Sequence, residues 1–409
     1  MDISIRRRLL GGSSQAIDIN SRPTIAAAML MAVIGPEVFI VQPGFVQGLV
    51  ELLGFTDSEA GYVASSEMWG LAITAVAMTF LSGRINWRVT FAVSLALVIT
   101  GNLLSTLVHD PVSFAIVRLV TGLGSGGVVT LSFAVIGLTA SPDRNFGWLI
   151  MWVLTYGAIA LFVMPTAYEA VGFSGILVFF AGFAAVGLLF IRFLPNSGEE
   201  HVQVEAGAID LGTSHRAMAL AAMLCYFLAQ GAVWAYLFRI GIAGGSSEQQ
   251  VANGLTISQF FGIGGALTAV MVGARYGRIA PLTLGILAGL VPLMALYGVS
   301  SALVFAAAVC VYNYAWQVTH PYLLAAMASF DHHGRVVVYA VAMQMLGLAI
   351  GPALGALFIT EGGYSRVISL AAGLFVLSLL LILPPLLGQT RRAVKSLRPD
   401  NEPSHPPLR

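Results

Sequence analysis

The sequence predicts an all-α membrane protein, with twelve transmembrane helices in two pseudo-symmetric six-helix bundles. Three observations predict it. Of 409 residues, 57% are hydrophobic and 10% charged, with a mean hydropathy of +0.86. Soluble domains carry about 25% charged residues, so this chain has too little polar surface to keep a fold in water. The sparse charges bound uncharged runs of membrane-spanning length. A polar stretch, NSGEEHVQVEAGAIDLGTSH at 196–215, divides the chain into two apolar halves that repeat one another.

A hydrocarbon core of about 30 Å needs roughly 20 helical residues. Arg88 to His109 encloses 20 uncharged residues, Arg144 to Glu169 encloses 24 and Glu169 to Arg192 encloses 22. Beyond the polar stretch the runs are 22 (Arg216 to Arg239), 26 (Glu248 to Arg275), 25 (Arg335 to Glu361) and 24 (Arg366 to Arg391). The 52 residues between Arg278 and Asp331 hold two spans joined near Gly298–Ser301. Near the N-terminus, one run is broken only by Glu37 and the next only by Glu67, and the fourth contains Arg118. The expected spans are 23–50, 58–82, 88–108, 112–140, 145–169, 173–194, 216–239, 248–273, 279–298, 302–328, 335–360 and 365–388. Hydrocarbon cannot satisfy a free backbone N–H, so runs of this length are helices.

Lys and Arg set the orientation. With the N-terminus inside, 17 of the 20 basic residues fall on the cytoplasmic side; Arg239 and Arg366 fall outside and Arg118 within a span. The expected organisation is a cytoplasmic tail (1–22), a first bundle (23–195), a cytoplasmic linker (196–215), a second bundle (216–389) and a second cytoplasmic tail (390–409). The start, MDISIRRRLLGGSSQ, is basic but lacks a short apolar segment and cleavage site, so it reads as a tail. Cys225 and Cys310 lie inside apolar runs, which argues against a disulfide framework. A net charge of +1 gives no reason to expect nucleic acid or another acidic macromolecule as partner. The expected setting is a multi-pass protein of a bacterial inner membrane, working as a monomer.

The repeat is visible in short matches. Ala140–Asp143 and Ala328–Asp331 share Ala-Ser-x-Asp, and Pro165 and Pro352 follow at similar distances. GFS at 172–174 answers GYS at 363–365, and TAVAM at 74–78 answers TAVMV at 268–272. Each half then has a basic loop, SGRINWR (82–88) and ARYGR (274–278). In these loops the chain resembles the major facilitator superfamily, whose signature there is G-x-x-x-D-R-x-G-R-R. Arg84 and Arg88 match its basic positions, Gly83 stands where the Asp belongs and Asn86 replaces a Gly. The second copy keeps Arg275, Gly277 and Arg278 and again lacks the Asp. The fourth-span pattern R-x-x-x-G-x-G is intact at Arg118, Gly122 and Gly124. The resemblance implies two six-helix bundles, with spans one, four, seven and ten around a central cavity that opens alternately to each side. It also implies gating roles for Arg84, Arg88, Arg275 and Arg278, and links Arg118 to proton coupling.

Glu37, Glu67 and Arg118 are the fixed charges deep in the first six spans. A charge at bilayer depth costs roughly 2.5–3.5 kcal/mol on insertion scales, so such residues mark pathways or pairs. Burial favours the neutral form of a carboxyl group. Arg118 cannot lose its proton, so it needs an anion: Glu37, Glu67 or a solute carboxylate. Glu37 and Glu67 are the candidate proton carriers; the expected pair is Glu67 with Arg118, which makes Glu37 the better carrier. The glycines after Arg118 read as close helix packing. In span ten, Asn313, Trp316, Gln317 and His320 recur at helical spacing, and span seven offers Tyr226, Gln230 and Trp234. Gln42, Tyr156 and Gln344 complete the candidate solute contacts. Aromatic rings with amide partners suit a medium-sized, partly apolar solute.

No catalytic triad, metal-ligand spacing or nucleotide loop appears, so neither an enzyme nor a cofactor is expected. The leading reading is a proton-coupled secondary transporter of a small organic solute, an organic anion or aromatic compound included, with small molecule, protons and lipid as its only partners. A drug–proton antiporter is the alternative; span five lacks the Gly-Pro pattern of that group, and a closer copy, GLAIGPALGALF (347–358), lies in span eleven. A non-transporting receptor or scaffold is the alternative of another class.

Overall fold

The structure is a computed structural model that describes residues 17–81, 84–197, 211–273, 275–298, 301–330, 335–360 and 363–396. Most of both tails and of the linker, Gly83 and the His332–His333 loop lie outside the described residues. Among the described residues, nine helices are long and apolar enough to cross a membrane. One of these holds two spans, and spans one and two bring the number to twelve.

Span one departs from the continuous helix expected over 23–50. It is three pieces, Arg22–Ile34, Glu37–Ile40 and Gln42–Leu53. Proline has no N–H to give to the carbonyl four residues back. Pro36 therefore gives no such bond to the Ala32 carbonyl, and Pro43 none to that of Phe39. Span two is Asp57–Leu81, span three Trp87–Ser105 and span four Pro111–Gly137. Asp110 caps span four by accepting the Ser113 amide at 2.8 Å, with proline in the first turn. That bond holds the Asp110 carboxyl below the usual carboxylate range, so the cap persists at neutral pH and is lost only in acid.

Spans five and six form one element, Pro142–Phe190, folded back at Gly172 (φ 67°, ψ −178°). A left-handed φ of this kind favours glycine, and it turns the chain between two membrane helices in a single residue. The second half comprises Thr213–Ala243, Glu248–Val272, Ile279–Leu296, Ala302–Ala328, Arg335–Ala356 and Ser365–Ser396. Span twelve thus continues past its expected end at 388. A capping box between Ser247 and Gln250 starts span eight.

Within the halves, span two packs on four, eight on ten, and seven on eleven. Between them, span two meets eleven, five meets eight, and one meets seven. The repeat exchanges the first two of these contacts, so the halves meet about a pseudo-twofold axis. Spans two and four touch backbone to backbone: a Cβ on Gly122 would overlap the Glu67 carbonyl. Arg118, one turn from Gly122, is thereby brought beside Glu67. Gly122→Val should push the two helices apart and lower thermal stability in detergent by about 1–3 kcal/mol; an unchanged melting curve would mean the seam is slack.

Candidate functional site

The end of the molecule that carries residues 17–22 and 84–86 is called here the terminal face, and the opposite end, with residues 54–57 and Gly172, the far face. Toward the far face, Arg118 is fully buried and Glu67 is 2% exposed. The guanidinium donates to both carboxylate oxygens, Nε to Oε2 at 3.1 Å and Nη2 to Oε1 at 2.5 Å. Its Nη1 donates to Asn102 Oδ1 at 2.7 Å and reaches Ser105 Oγ at 3.5 Å. The Phe45 ring lies 5.4 Å from Cζ. Four spans therefore close around one cation, whose hydrogen bonds all go to residues of the first half. Sequence reasoning missed Asn102, because a neutral amide in an apolar run carries no charge signal.

Glu37 differs. It is 2% exposed, and neither carboxylate oxygen has a hydrogen-bond partner. It opens the short piece between the two breaks of span one, where a helix N-terminus offers unpaired N–H groups. Tyr156, on span five, is within its electrostatic reach, and the Tyr156 hydroxyl is also without a partner. Tyr156 stacks on Phe183 with centroids 5.6 Å apart and faces apolar grooves along spans one, five and six.

A cavity of about 270 Å³ lies between the halves. Its lining runs from Phe39 and Trp316 at the inner end to Phe133 and Leu149 toward the terminal face. Spans two, five and eleven contribute alongside one, four, seven and ten. Four of the expected solute contacts meet there: Trp316, Gln317, His320 and Gln344. His320 Nε2 and Gln344 Oε1 are 3.0 Å apart, and the imidazole packs edge-on against Phe227. The others stand elsewhere. Asn313 turns to Ser258 of span eight, 3.4 Å away. Gln230 donates to the Tyr226 hydroxyl at 3.0 Å. Gln42 is buried with its Oε1 unpartnered. Trp234 backs the cavity, its ring 5.8 Å from that of Trp316. Its Nε1 donates at 2.9 Å to Phe39 O, the carbonyl that receives no N–H from Pro43.

The far face is closed by a network that the sequence did not single out. Arg239 of span seven donates to Asp57 and Glu51, both at 2.7 Å, and to Gln47 at 3.1 Å. Tyr364 donates to Asp57 at 2.6 Å, and Gln47 to Glu248 at 2.9 Å. Closer to the centre, Ser65 bonds to Ala349 O and Thr256 to Ala158 O. Among the described residues, these bonds between the halves all lie on the far side of the cavity. Of the basic loop residues, Arg88 is tied to the Leu194 and Arg192 carbonyls of its own half. Arg84 and Arg275 are exposed and Arg278 is half-buried. Arg239→Gln removes the shared cation of partly exposed pairs, each worth about 1 kcal/mol or less. A cysteine at Ser65 should then react several-fold faster with a maleimide; an unchanged rate would show that the network does not hold the face shut.

The comparisons agree with this architecture. Residues 26–330 match the model of the Major Facilitator Superfamily. No curated protein matches the sequence. Among solved structures, the chain is similar to a D-xylose-proton symporter, with 14% identity over 88% of this chain and 97% of that one, and a TM-score of 0.71. It is similar to the xylose transporter XylE from E. coli in an inward open conformation, with 14% identity, 88% and 94% coverage and a TM-score of 0.71. The nucleoside transporter NupG matches with 14% identity, 90% and 98% coverage and a TM-score of 0.67. At such identities the likeness is one of fold. The family match covers well over half of the chain, which is therefore a multi-pass membrane protein of the major facilitator superfamily.

Proposed function

We propose that the chain is a proton-coupled secondary transporter that carries a small organic solute by alternating access. The observation that carries this reading is the contrast between two buried acids. Glu67 is locked to Arg118, whereas Glu37 has no donor on either oxygen and sits one residue from Pro36, part of the cavity wall. A buried carboxylate without a partner is costly, and such a group neutralises instead. A site that tolerates the neutral acid while closed, and wets when the halves move, is a proton carrier. One protein of the same fold is a D-xylose-proton symporter, so the scaffold accommodates such coupling. A scaffold protein would have no use for an unpaired buried acid.

Both termini then lie in the cytoplasm, following the Lys and Arg bias. The network around Arg239 then closes the external side. Ser197→Cys, at the start of the linker, should resist an impermeant maleimide in intact cells and react after permeabilisation; prompt reaction in intact cells would reverse the orientation. For function, proteoliposomes given an inward pH step should accumulate the solute against its gradient, and a protonophore should abolish the accumulation. Accumulation indifferent to the protonophore would remove the proton from the reading.

A further inference from the structure

From the chemistry of the central cavity we infer that its solute is uncharged, with an apolar, ring-like body and a single hydrogen-bonding edge. This rests on the cavity being the solute site of the proposed transporter. Twelve lining residues come from the first half, and all twelve are apolar. Every polar side chain of the wall comes from spans ten and eleven: Trp316, Gln317, His320 and Gln344. The Gln317 amide and Trp316 Nε1 have no protein partner among the described residues, and the amide nitrogen of Gln344 is likewise free beside its bond to His320. Donors and an acceptor therefore stand along one strip, and the opposite wall offers none.

Three classes of solute fail against this wall. A sugar presents hydroxyls all round. Those turned to the apolar side would be buried without partners, which costs the full desolvation of each hydroxyl. An anion finds no Lys or Arg in the lining, and Arg118 is sealed behind Glu67, Asn102 and Ser105. A cation finds no Asp or Glu there, because Glu37 lies behind the wall. A flat neutral solute fits: its body packs against Phe39, Ile40 and Leu71, and an amide-like edge pairs with Gln317 and Gln344. The shared fold with a xylose symporter and a nucleoside transporter thus does not carry their solutes over to this chain.

The test is equilibrium binding of radiolabelled benzamide to the full-length protein in lipid nanodiscs. Unlabelled benzoate, benzylammonium and D-xylose serve as competitors. Benzamide should bind saturably, with each competitor at least about tenfold weaker. Gln317→Leu should remove benzamide binding while the melting temperature holds; if that variant is unstable, Gln344→Leu replaces it. Competition by D-xylose, benzoate or benzylammonium as strong as by benzamide itself would overturn the inference. So would the absence of saturable binding, or full binding by a stable Gln317→Leu. Proton coupling is read separately in the pH-step assay. Selective binding with no pH-driven accumulation would sink the coupling and leave this inference standing, and accumulation of a sugar would do the reverse.

Discussion

Proteoliposomes carrying Glu37→Gln should exchange solute across the membrane yet fail to concentrate it after a pH step. Glutamine has the size and the lack of charge of the neutral acid, so the buried segment Glu37–Ile40 keeps its packing. It cannot release a proton, so the cycle loses its link to the gradient. For each proton carried with a solute, one pH unit supplies about 1.36 kcal/mol, or a tenfold concentration ratio. The variant should therefore fall from about tenfold accumulation per pH unit to none. Exchange of labelled for unlabelled solute should stay within a few-fold of the unsubstituted protein. Accumulation by Glu37→Gln equal to that of the original chain would end the assignment of Glu37 as carrier.

Glu67→Gln should behave in the opposite way and damage the protein itself. Arg118 is fully buried, and Glu67 accepts two of its hydrogen bonds. Removing one partner of a buried pair leaves an uncompensated charge and costs about 3–5 kcal/mol. Thermal unfolding in detergent should show this loss, and all modes of transport should fall together. Replacing both partners with apolar residues, Glu67→Leu with Arg118→Met, should recover most of the stability, because the desolvation of two charges disappears with the pair. If Glu67→Gln melts like the original chain, the pair is not holding the first bundle.

The spans were legible in the sequence because hydrocarbon forbids charges, so each charged residue marks an end. Glu37, Glu67 and Arg118 stood out for the same reason. The break in span one was not anticipated, although Pro36 and Pro43 were in view: overall hydropathy registers a run of apolar residues and ignores a missing N–H. The network around Arg239 escaped because a charge at the end of a span is unremarkable by itself. Its partners at 47, 51 and 57 are brought near only by the meeting of the two halves, and Tyr364 by packing within the second half. Helical spacing placed Asn313 on the face of Trp316 and Gln317, but spacing fixes a face only to within a wide arc, and span eight lies close enough to claim the amide.

The far-face network also has an imbalance of charge. Glu51, Asp57 and Glu248 stand around a single guanidinium, that of Arg239. Once the halves part at that end, the mouth they leave holds more carboxylates than cations. Such a mouth raises the local concentration of protons and slows the approach of anions before any contact with the cavity. The bias reaches roughly 8 Å at physiological ionic strength, so it acts on the rate of entry and fades as salt is added.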